Sequence, residues 1–295
     1  MTDAERLQPS GLAGAIEFIR LEETLRDFAE GETFVFVVNK GNWGDGLIRY
    51  ATERFFRQNG FSHVSIPLAS AVSLPVEELR QACSSAKVRM VYSGGGAFLN
   101  KYHMHRRIPA LVERSERILV LPHTFAVPRR KLGFRKTDIL FRRDESGSIK
   151  FAPRSLFCHD MALSLGRIAC RGTGSGTGFF FRRDVERVEG MVVPSGNRDI
   201  SAEGTESTPM AGFLDAIARF ETIHTNRLHV SIAAAMMGRR VHLYANSYFK
   251  NRSIYEASLR YAFPNLSFSQ EYTPPAPVFL QRELHEADRP PDDGL

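Results

Sequence analysis

The stretch "FVFVVNKGNWGDG", residues 34–46, joins five consecutive apolar residues to a glycine-rich turn. Such an apolar run predicts a β-strand that is buried on both faces, as strands are in parallel sheets. A helical pattern follows to about residue 59, with apolar side chains such as Leu47, Ala51 and Phe55 on one side. The order strand, turn, helix predicts the first unit of an α/β fold.

The same order is repeated along the chain. Further strands are predicted at 89–93, 117–122, 137–143 and 240–245, and further helices near 104–115, 210–219 and 252–262. A glycine- and serine-rich segment at 170–178 interrupts the alternation and is either a linker or a loop. The polar segment 195–209 is expected to be a mobile loop. Alternation on both sides of the interruption predicts an α/β protein with two α/β units built on parallel sheets.

We place the first domain at residues 1–168 and the second at 169–272, with the boundary between 155 and 180. A chain of 295 residues agrees with two domains, because domains usually contain roughly 100–200 residues. The segment 273–295 is rich in proline and charge, so we expect a flexible tail.

Charge and cysteine content narrow the function classes. The net charge is +6 at pH 7, but the basic residues form short separate clusters, which favours local anion sites over nucleic-acid binding. This charge leaves open a peripheral position at the inner face of a membrane. No apolar run approaches the roughly 20 residues that span a bilayer, and the start "MTDAERLQPS" is not typical of a secretory signal. The three cysteines lack C-x-x-C spacing, so we expect reduced thiols, a cytoplasmic location and no zinc site.

Two glycine-rich segments follow predicted strands. The first contains Asn42 and Asp45, and the second, "SGGGAFLN", contains Gly94, Gly95 and Gly96. Glycines at the carboxyl end of a strand allow a ligand to approach the backbone, and ligands of open α/β sheets collect at those ends. Both segments are therefore candidates for a binding rim, although each also fits a tight structural turn.

Basic side chains are expected at the same rim. "LFRRDES" places Arg142 at the end of a predicted strand, and "FFFRRD" places Arg182 or Arg183 at another. The arginine fork pairs with carboxylate and phosphate groups in a bidentate manner, but adjacent arginines are also typical of a solvated surface. His123 follows a predicted strand in "LPHTF", where a structural role is equally open.

The segment "TNRLHVSIAAAMMG", residues 225–238, places Arg227 and His229 at the start of an apolar helix. The amino end of a helix carries a partial positive charge, so cationic side chains there predict a neighbouring anion. We expect Asn42, Gly95, Arg142, Arg182 or Arg183, and Arg227 to line one cleft, because each follows a strand or begins a helix. A capping or core role for Arg227 and His229 remains the alternative.

Taken in their order along the chain, the segments described above resemble those of the polysaccharide pyruvyl transferase family. The resemblance rests on segments between residues 34 and 265: "NKGNWGDGLI", "GGGAFLNKY", "ILVLPHTF", "LFRRDES" followed by "HDMALSL", "FFFRRD" and "TNRLHVSIAAAMMGRRVHLYANSYFKN". It implies a GT-B-like arrangement, in which two Rossmann-like domains face each other across a cleft. It also implies transfer of a carboxyethylidene group, a pyruvate ketal, from phosphoenolpyruvate to a sugar of an exopolysaccharide, capsule or cell-wall polymer.

The resemblance assigns Arg227, His229 and either Arg182 or Arg183 to the donor. Ketal formation requires protonation of the enol CH2 group, and histidine is a suitable acid near neutral pH, so His229 is the predicted catalytic residue. Phosphoenolpyruvate is the donor substrate, and no further cofactor and no metal is expected. The other expected partner is a saccharide acceptor, free or lipid-linked.

Two other function classes remain at this stage. A GT-B glycosyltransferase that uses a nucleotide sugar would share the fold, the glycine-rich segments and the basic residues. A noncatalytic module of a polymer-assembly complex would keep the fold without the anion site. A dinucleotide-dependent oxidoreductase is disfavoured, because the chain lacks a G-x-G-x-x-G motif followed by a suitably placed acidic residue.

Overall fold

The computed structural model describes residues 12–170 and 172–274, so most of the predicted tail at 273–295 lies outside the described residues. The first sheet has seven parallel strands in the order β2-β1-β3-β5-β6-β7, and β4 also pairs with β5. These strands are β1 Phe34–Val38, β2 His63–Pro67, β3 Arg89–Tyr92, β4 Gly95–Phe98, β5 Arg117–Phe125, β6 Ile139–Arg142 and β7 Leu156–Phe157.

The second sheet has four parallel strands in the order β11-β10-β9-β8. They are β8 Thr177–Phe180, β9 Thr222–Thr225, β10 Arg240–Tyr244 and β11 Leu266–Ser269. The predicted α/β class with parallel sheets is therefore confirmed. The glycine-rich segment 172–176 directly precedes the first strand of this sheet.

Helices connect most strands. They are α1 Ile16–Ala29, α2 Trp43–Gln58, α3 Leu68–Ala71, α4 Val76–Cys83, α5 Ile108–Glu113, α6 Met210–Ala218, α7 Leu228–Met236, α8 Lys250–Ile254 and α9 Arg260–Ala262. A π-helical turn, Tyr255–Leu259, joins α8 to α9. The helix expected near 104–115 is divided into a 3-10 turn, Met104–Arg107, and the short α5.

The strand predicted from "FVFVV" is buried on both faces. Phe34 and Phe36 belong to one hydrophobic cluster, and Val35 and Val37 belong to another on the opposite face of the sheet. The first cluster continues into the second sheet, because α2 packs against α6 and α7. The two sheets are thus joined by shared apolar packing around α2.

The prediction that Gly95 and Gly96 form a turn after a strand is wrong. They begin β4, which runs along β5 beyond the end of β3. This arrangement is possible because β5 extends to Phe125, three residues further than expected. A Cβ atom on Gly94 would lie 2.8 Å from the carbonyl oxygen of Pro122, so only glycine allows the chain to pass so close to β5.

The polar segment 195–209 is packed against the rest of the protein. It contains a 3-10 turn, Ile200–Glu203, whose Ile200 side chain is fully buried. Thr205 forms an isolated β-bridge with Asn42, and Glu206 accepts a hydrogen bond from the backbone amide of Gly41 at 2.9 Å. The segment expected to be a mobile loop therefore covers the start of α2.

Candidate active site

A cavity of about 320 Å³ lies beyond the carboxyl ends of strands from both sheets. This main cavity is lined by the segments that follow β1, β4, β6, β8, β9 and β10, as expected for a ligand site of parallel α/β sheets. Its walls contain Asn39, Lys40, Gly41, Asn42, Asp45, Gly96, Tyr102, Met104, Arg143, Arg182, Asp184, Glu186, Ser201, Arg227, Leu228, His229 and Lys250.

Arg227 is the N-cap residue of α7, and its guanidinium group is buried at the edge of the main cavity. Its Nε and Nη2 atoms donate to the two carboxylate oxygens of Asp199 at 2.8 and 2.7 Å, and Nη1 donates to Asp184 at 2.7 Å. The protein therefore supplies part of the negative charge that the sequence predicted next to this helix. The first turn of α7 has no side-chain cap, and its Leu228 and His229 line the cavity.

Of the two adjacent arginines in "FFFRRD", Arg182 faces the main cavity. It forms a bidentate pair with Asp184, at 2.8 Å for Nε and 3.0 Å for Nη2, and Nη1 donates to Glu186. The side chain of Arg183 is exposed and does not line the cavity, although its backbone amide donates to Asp199 at 2.9 Å.

Arg143, rather than the predicted Arg142, reaches the main cavity. Arg142 is the last residue of β6; its side chain donates to the carbonyl of Ser155 and lies over the ring of Phe157, outside the cavity. Arg143 is buried, donates through Nε to Thr124 at 2.9 Å and forms an ion pair with Asp160. The two side chains take different directions because one ends the strand and the other follows it.

His229 approaches α2 from the second sheet. Its Nε2 atom lies 3.5 Å from Oδ2 of Asp160 without hydrogen-bond geometry. A Cβ atom on Gly44 would come within 2.7 Å of its Nδ1 atom, so glycine in the first turn of α2 leaves room for the ring. Burial raises the pKa of the Asp160 carboxyl, but the adjacent Arg143 guanidinium outweighs burial and holds that pKa well below its usual range. Asp160 is therefore a carboxylate at neutral pH, beside His229.

The turn before α2 has a closed hydrogen-bond pattern. Asn42 and Asp45 form a capping box: Asn42 accepts from the amide of Gly44 at 2.8 Å, and Asp45 accepts from the amide of Asn42 at 2.9 Å. The amide of Gly41 donates to Glu206, so the backbone amides of Gly41, Asn42 and Gly44 all have hydrogen-bond partners within the protein. Asn42 and Asp45 line the main cavity, but they also fix the start of the helix.

Gly96 lines the main cavity, and Gly94 and Gly95 do not. A Cβ atom on Gly96 would lie 3.3 Å from Nη2 of Arg143. His123 lies inside β5 instead of after it, is fully buried, and has its Nδ1 atom 3.2 Å from the carbonyl oxygen of Ser93. Burial lowers the pKa of His123 to about 3. The structure does not bring His123 to the cavity.

Sequence reasoning missed a cation at the start of α8. Lys250 lines the main cavity and donates to Glu186, which also pairs with Arg182 and accepts from the hydroxyl of Tyr102. Burial lowers the pKa of Lys250 to about 8, although the Glu186 carboxylate opposes that shift. For Glu186 itself, burial raises the pKa, but Lys250 and Arg182 outweigh burial and keep it well below its usual range.

Apart from Asp45, the carboxylates of the site were also missed. Asp160 lies within the quoted segment "HDMALSL", for which no strand or helix was predicted. Lys250 lies just before the helix predicted near 252–262, and that position was the available signal. Asp184 ends the segment "FFFRRD", and Glu186 follows it by two residues. Asp199 comes from the segment expected to be mobile, where no signal pointed to the site.

Within residues 12–170 and 172–274, no group of three or more His, Cys, Asp or Glu side chains could hold a metal ion.

In the described part of the chain, no helix is long and apolar enough to cross a membrane. The fold and the site together define a parallel α/β protein with a cavity that concentrates arginine, lysine and histidine beyond its strand ends. The sequence profile of the polysaccharide pyruvyl transferase family matches residues 42–248, which covers most of the chain. The protein therefore belongs to the polysaccharide pyruvyl transferase family, and this membership indicates a pyruvyl transferase, an enzyme that acts on a polysaccharide acceptor.

A search among curated protein sequences finds no match. Among solved structures, the chain is similar to an uncharacterized protein from Klebsiella pneumoniae subsp. pneumoniae NTUH-K2044, with a TM-score of 0.71 and 21% sequence identity over 86% of this chain and 98% of that chain. At this level of identity, the likeness concerns the fold alone.

Proposed function

We propose that the protein transfers a pyruvyl group from phosphoenolpyruvate to two hydroxyls of a saccharide and forms a ketal. The observation that carries this proposal is the convergence of Arg143, Arg182, Arg227, Lys250 and His229 on one cavity. Phosphoenolpyruvate has a carboxylate and a phosphate on three carbons, so its recognition requires several cationic donors close together. The acceptor would belong to an exopolysaccharide, capsule or cell-wall polymer, in a reaction located in the cytoplasm.

The size of the main cavity supports a small donor. Ligand cavities commonly measure about 300–1,000 Å³, and about 320 Å³ is at the lower end of that range. A three-carbon phosphate fits this volume more readily than a nucleotide sugar.

The hydrogen-bond pattern leaves donors for an anion. A guanidinium group has five N–H donors, and Arg227 uses three of them with Asp184 and Asp199. For Arg143, Nε and Nη1 bond to Thr124 and Asp160, while Nη2 lies on the side of Gly96. A phosphate or carboxylate can therefore bind to the remaining N–H groups while the internal ion pairs hold each fork in place.

The proposed reaction begins with proton transfer from His229 to the enol CH2 group of the donor, which becomes a methyl group. A sugar hydroxyl then attacks the oxocarbenium-like carbon, the C–O bond to phosphate breaks, and a second hydroxyl of the sugar closes the ketal. Of the two hydroxyl protons, one restores His229 and the other leaves with inorganic phosphate. The Asp160 carboxylate, 3.5 Å from Nε2, stabilises the protonated imidazole.

We also propose how the chain is divided into domains. We assign residues 1–168 and 169–272 to two domains that face each other across the main cavity. Support comes from the two separate parallel sheets and from the lining, which the segments after strands of both sheets provide. Limited proteolysis with and without phosphoenolpyruvate tests this division, because a cut between residues 155 and 180 that the donor suppresses would agree with it.

A thermal-shift comparison tests the proposed donor. Phosphoenolpyruvate at about 100 times its dissociation constant should stabilise the protein by about 2.7 kcal/mol, and nucleotide sugars should produce no shift. Arg227→Ala should abolish the shift, while the exposed Arg183→Ala should retain it. A shift with nucleotide sugars alone would favour a GT-B glycosyltransferase. No shift with either class would favour a noncatalytic module.

A further inference from the structure

A second cavity, of about 380 Å³, adjoins the main cavity and is not used by the proposed donor. Lys40, in the turn after β1, and Met104, at the start of the 3-10 turn Met104–Arg107, line both cavities. We call this second space the side cavity. A ketal-forming enzyme must hold the acceptor so that two of its hydroxyls reach the donor, and the side cavity is next to the donor site.

The walls of the side cavity are mainly apolar. They are formed by Val38, Pro67, Leu68, Ala69 and Met104. Hydroxyl groups stand among them, since Ser65, Thr205 and Ser207 also line the space. Apolar walls with a few polar groups suit a sugar ring, which presents C–H faces and hydroxyl edges.

Three cationic side chains, Lys40, Arg49 and Arg107, complete the lining. Arg49 is oriented by Glu53, whose Oε1 accepts from its Nε at 3.0 Å. Lys40 and Arg107 are exposed, and neither forms an ion pair with another described residue. This differs from the main cavity, where each arginine already has a carboxylate partner.

One carboxylate, that of Glu206, also lines the side cavity. Glu206 accepts a hydrogen bond from the amide of Gly41 at 2.9 Å and helps to fix the turn between the two cavities. The lining therefore holds three cations and one carboxylate, and its net charge is positive. A group with negative charge is the ligand that such a rim recognises.

We propose that the side cavity binds the acceptor saccharide and that Lys40, Arg49 and Arg107 recognise a phosphate group on that saccharide. This inference rests on the proposed pyruvyl transfer, because it places the acceptor beside the donor. Phosphate suits this rim better than a carboxylate, because three cations line it, two of them without an ion-pair partner among the described residues, and a phosphate ester offers more charge and more acceptor oxygens. The main cavity and the side cavity would then be occupied at the same time.

The test uses two arginines that are adjacent in the chain. Arg107 lines the side cavity, whereas Arg106 is also exposed but lines neither cavity. Arg107→Glu, Arg107→Gln and the control Arg106→Glu would be titrated with glucose 1-phosphate and N-acetylglucosamine 1-phosphate, in the presence and absence of phosphoenolpyruvate. The corresponding methyl glycosides, glucuronic acid and inorganic phosphate complete the set of probes. Melting temperatures verify that each variant is folded.

The proposal expects a sugar phosphate to bind in the presence of phosphoenolpyruvate, about tenfold more tightly than its methyl glycoside. Arg107→Glu should weaken this binding by about tenfold or more, Arg107→Gln by less, and Arg106→Glu by under about twofold. The proposal is overturned if the methyl glycosides, glucuronic acid or inorganic phosphate alone bind as tightly as the sugar phosphate. It is also overturned if phosphoenolpyruvate displaces the sugar phosphate, or if Arg107→Glu leaves sugar-phosphate binding unchanged. Failure of phosphoenolpyruvate to bind would instead count against the proposed function, and the Arg107–Arg106 pair would still report on the side cavity.

Discussion

The Nε2 atom of His229 and the Oδ2 atom of Asp160 are 3.5 Å apart, and the same oxygen of Asp160 accepts a hydrogen bond from Arg143. Arg143 follows β6 of the first sheet, and His229 lies in the first turn of α7, which follows β9 of the second sheet. One carboxylate thus connects the proposed acid with a proposed anion-binding group. Asp160 acts through His229, so we regard it as a positioning residue.

Asp160→Asn separates this role from a purely structural one. The substitution keeps the oxygen that accepts from the amide of Ala162 at 2.9 Å, but removes the charge beside His229. We expect kcat to fall by roughly 10–100-fold, because the protonated imidazole loses its counterion. The KM for phosphoenolpyruvate should also rise, because the substitution replaces the carboxylate that holds Nη1 of Arg143.

His229→Gln is the companion variant. Steady-state kinetics should show a loss of turnover of roughly 10²–10⁴-fold, with donor affinity largely retained. A folded His229→Gln protein with normal turnover would remove the acid assignment. An Asp160→Asn protein that lost only thermal stability, at unchanged kcat, would make Asp160 structural.

Arg143 and Arg142 provide a second matched pair. Arg143→Ala should weaken phosphoenolpyruvate binding by about 2–4 kcal/mol, because it removes a cavity cation and leaves Asp160 buried without its main partner. Arg142→Ala removes contacts with Ser155 and Phe157 outside the cavity, so it should leave donor affinity unchanged. Calorimetric titration of both variants measures the difference. Equal losses of affinity would contradict this assignment of the two side chains.

Gly95 and Gly96 should respond differently to replacement by alanine. Gly95 has φ +125°, so Gly95→Ala forces an L-residue into a strained conformation and should lower stability by about 1–3 kcal/mol. Gly96→Ala places a methyl group 3.3 Å from Nη2 of Arg143, so it should mainly weaken donor binding. Melting temperature and donor affinity, measured on both variants, distinguish the two effects. If Gly95→Ala mainly weakened donor binding and Gly96→Ala mainly lowered stability, Gly96 would not limit the cavity.

We expect Lys250 to make donor binding dependent on pH. Since burial lowers its pKa to about 8, the side chain is charged below this value and becomes neutral as the pH rises through it. Affinity for phosphoenolpyruvate should therefore be highest below pH 8 and fall about tenfold by pH 10. Lys250→Arg keeps a positive charge over this range and should flatten the profile. A flat profile in the unsubstituted protein would exclude this role for Lys250.

Local sequence patterns predicted strands and helices that are deeply buried. "FVFVV" predicted a strand buried on both faces, and the apolar run after Arg227 predicted α7. The β4 strand could not be predicted in this way, because its pairing depends on the full length of β5. Three glycines in succession indicate a turn when only local preferences are considered, and a long neighbouring strand overrides that preference.

Some of the residues that the sequence analysis singled out line the main cavity, and in other cases a neighbour in the chain lines it instead. Which of two adjacent arginines faces a cavity depends on where the strand ends. For Arg142 and Arg143 that point is set by pairing between β6 and β5, including the pair His123–Arg142. The carboxylate partners of Arg227 come from distant segments, and no local spacing connects them to α7. Such long-range pairs are determined by the tertiary fold alone.

The central claim is that phosphoenolpyruvate binds to the main cavity, and calorimetric titration of the Arg182 and Arg183 variants tests it most directly. Arg182 lines the cavity with its buried guanidinium, and the neighbouring Arg183 is exposed outside it. We predict one phosphoenolpyruvate site per chain in the unsubstituted protein, unchanged affinity in Arg183→Ala, and a loss of about 2–4 kcal/mol in folded Arg182→Ala. Undetectable binding to the unsubstituted protein, or binding that folded Arg182→Ala retains in full, would contradict the account.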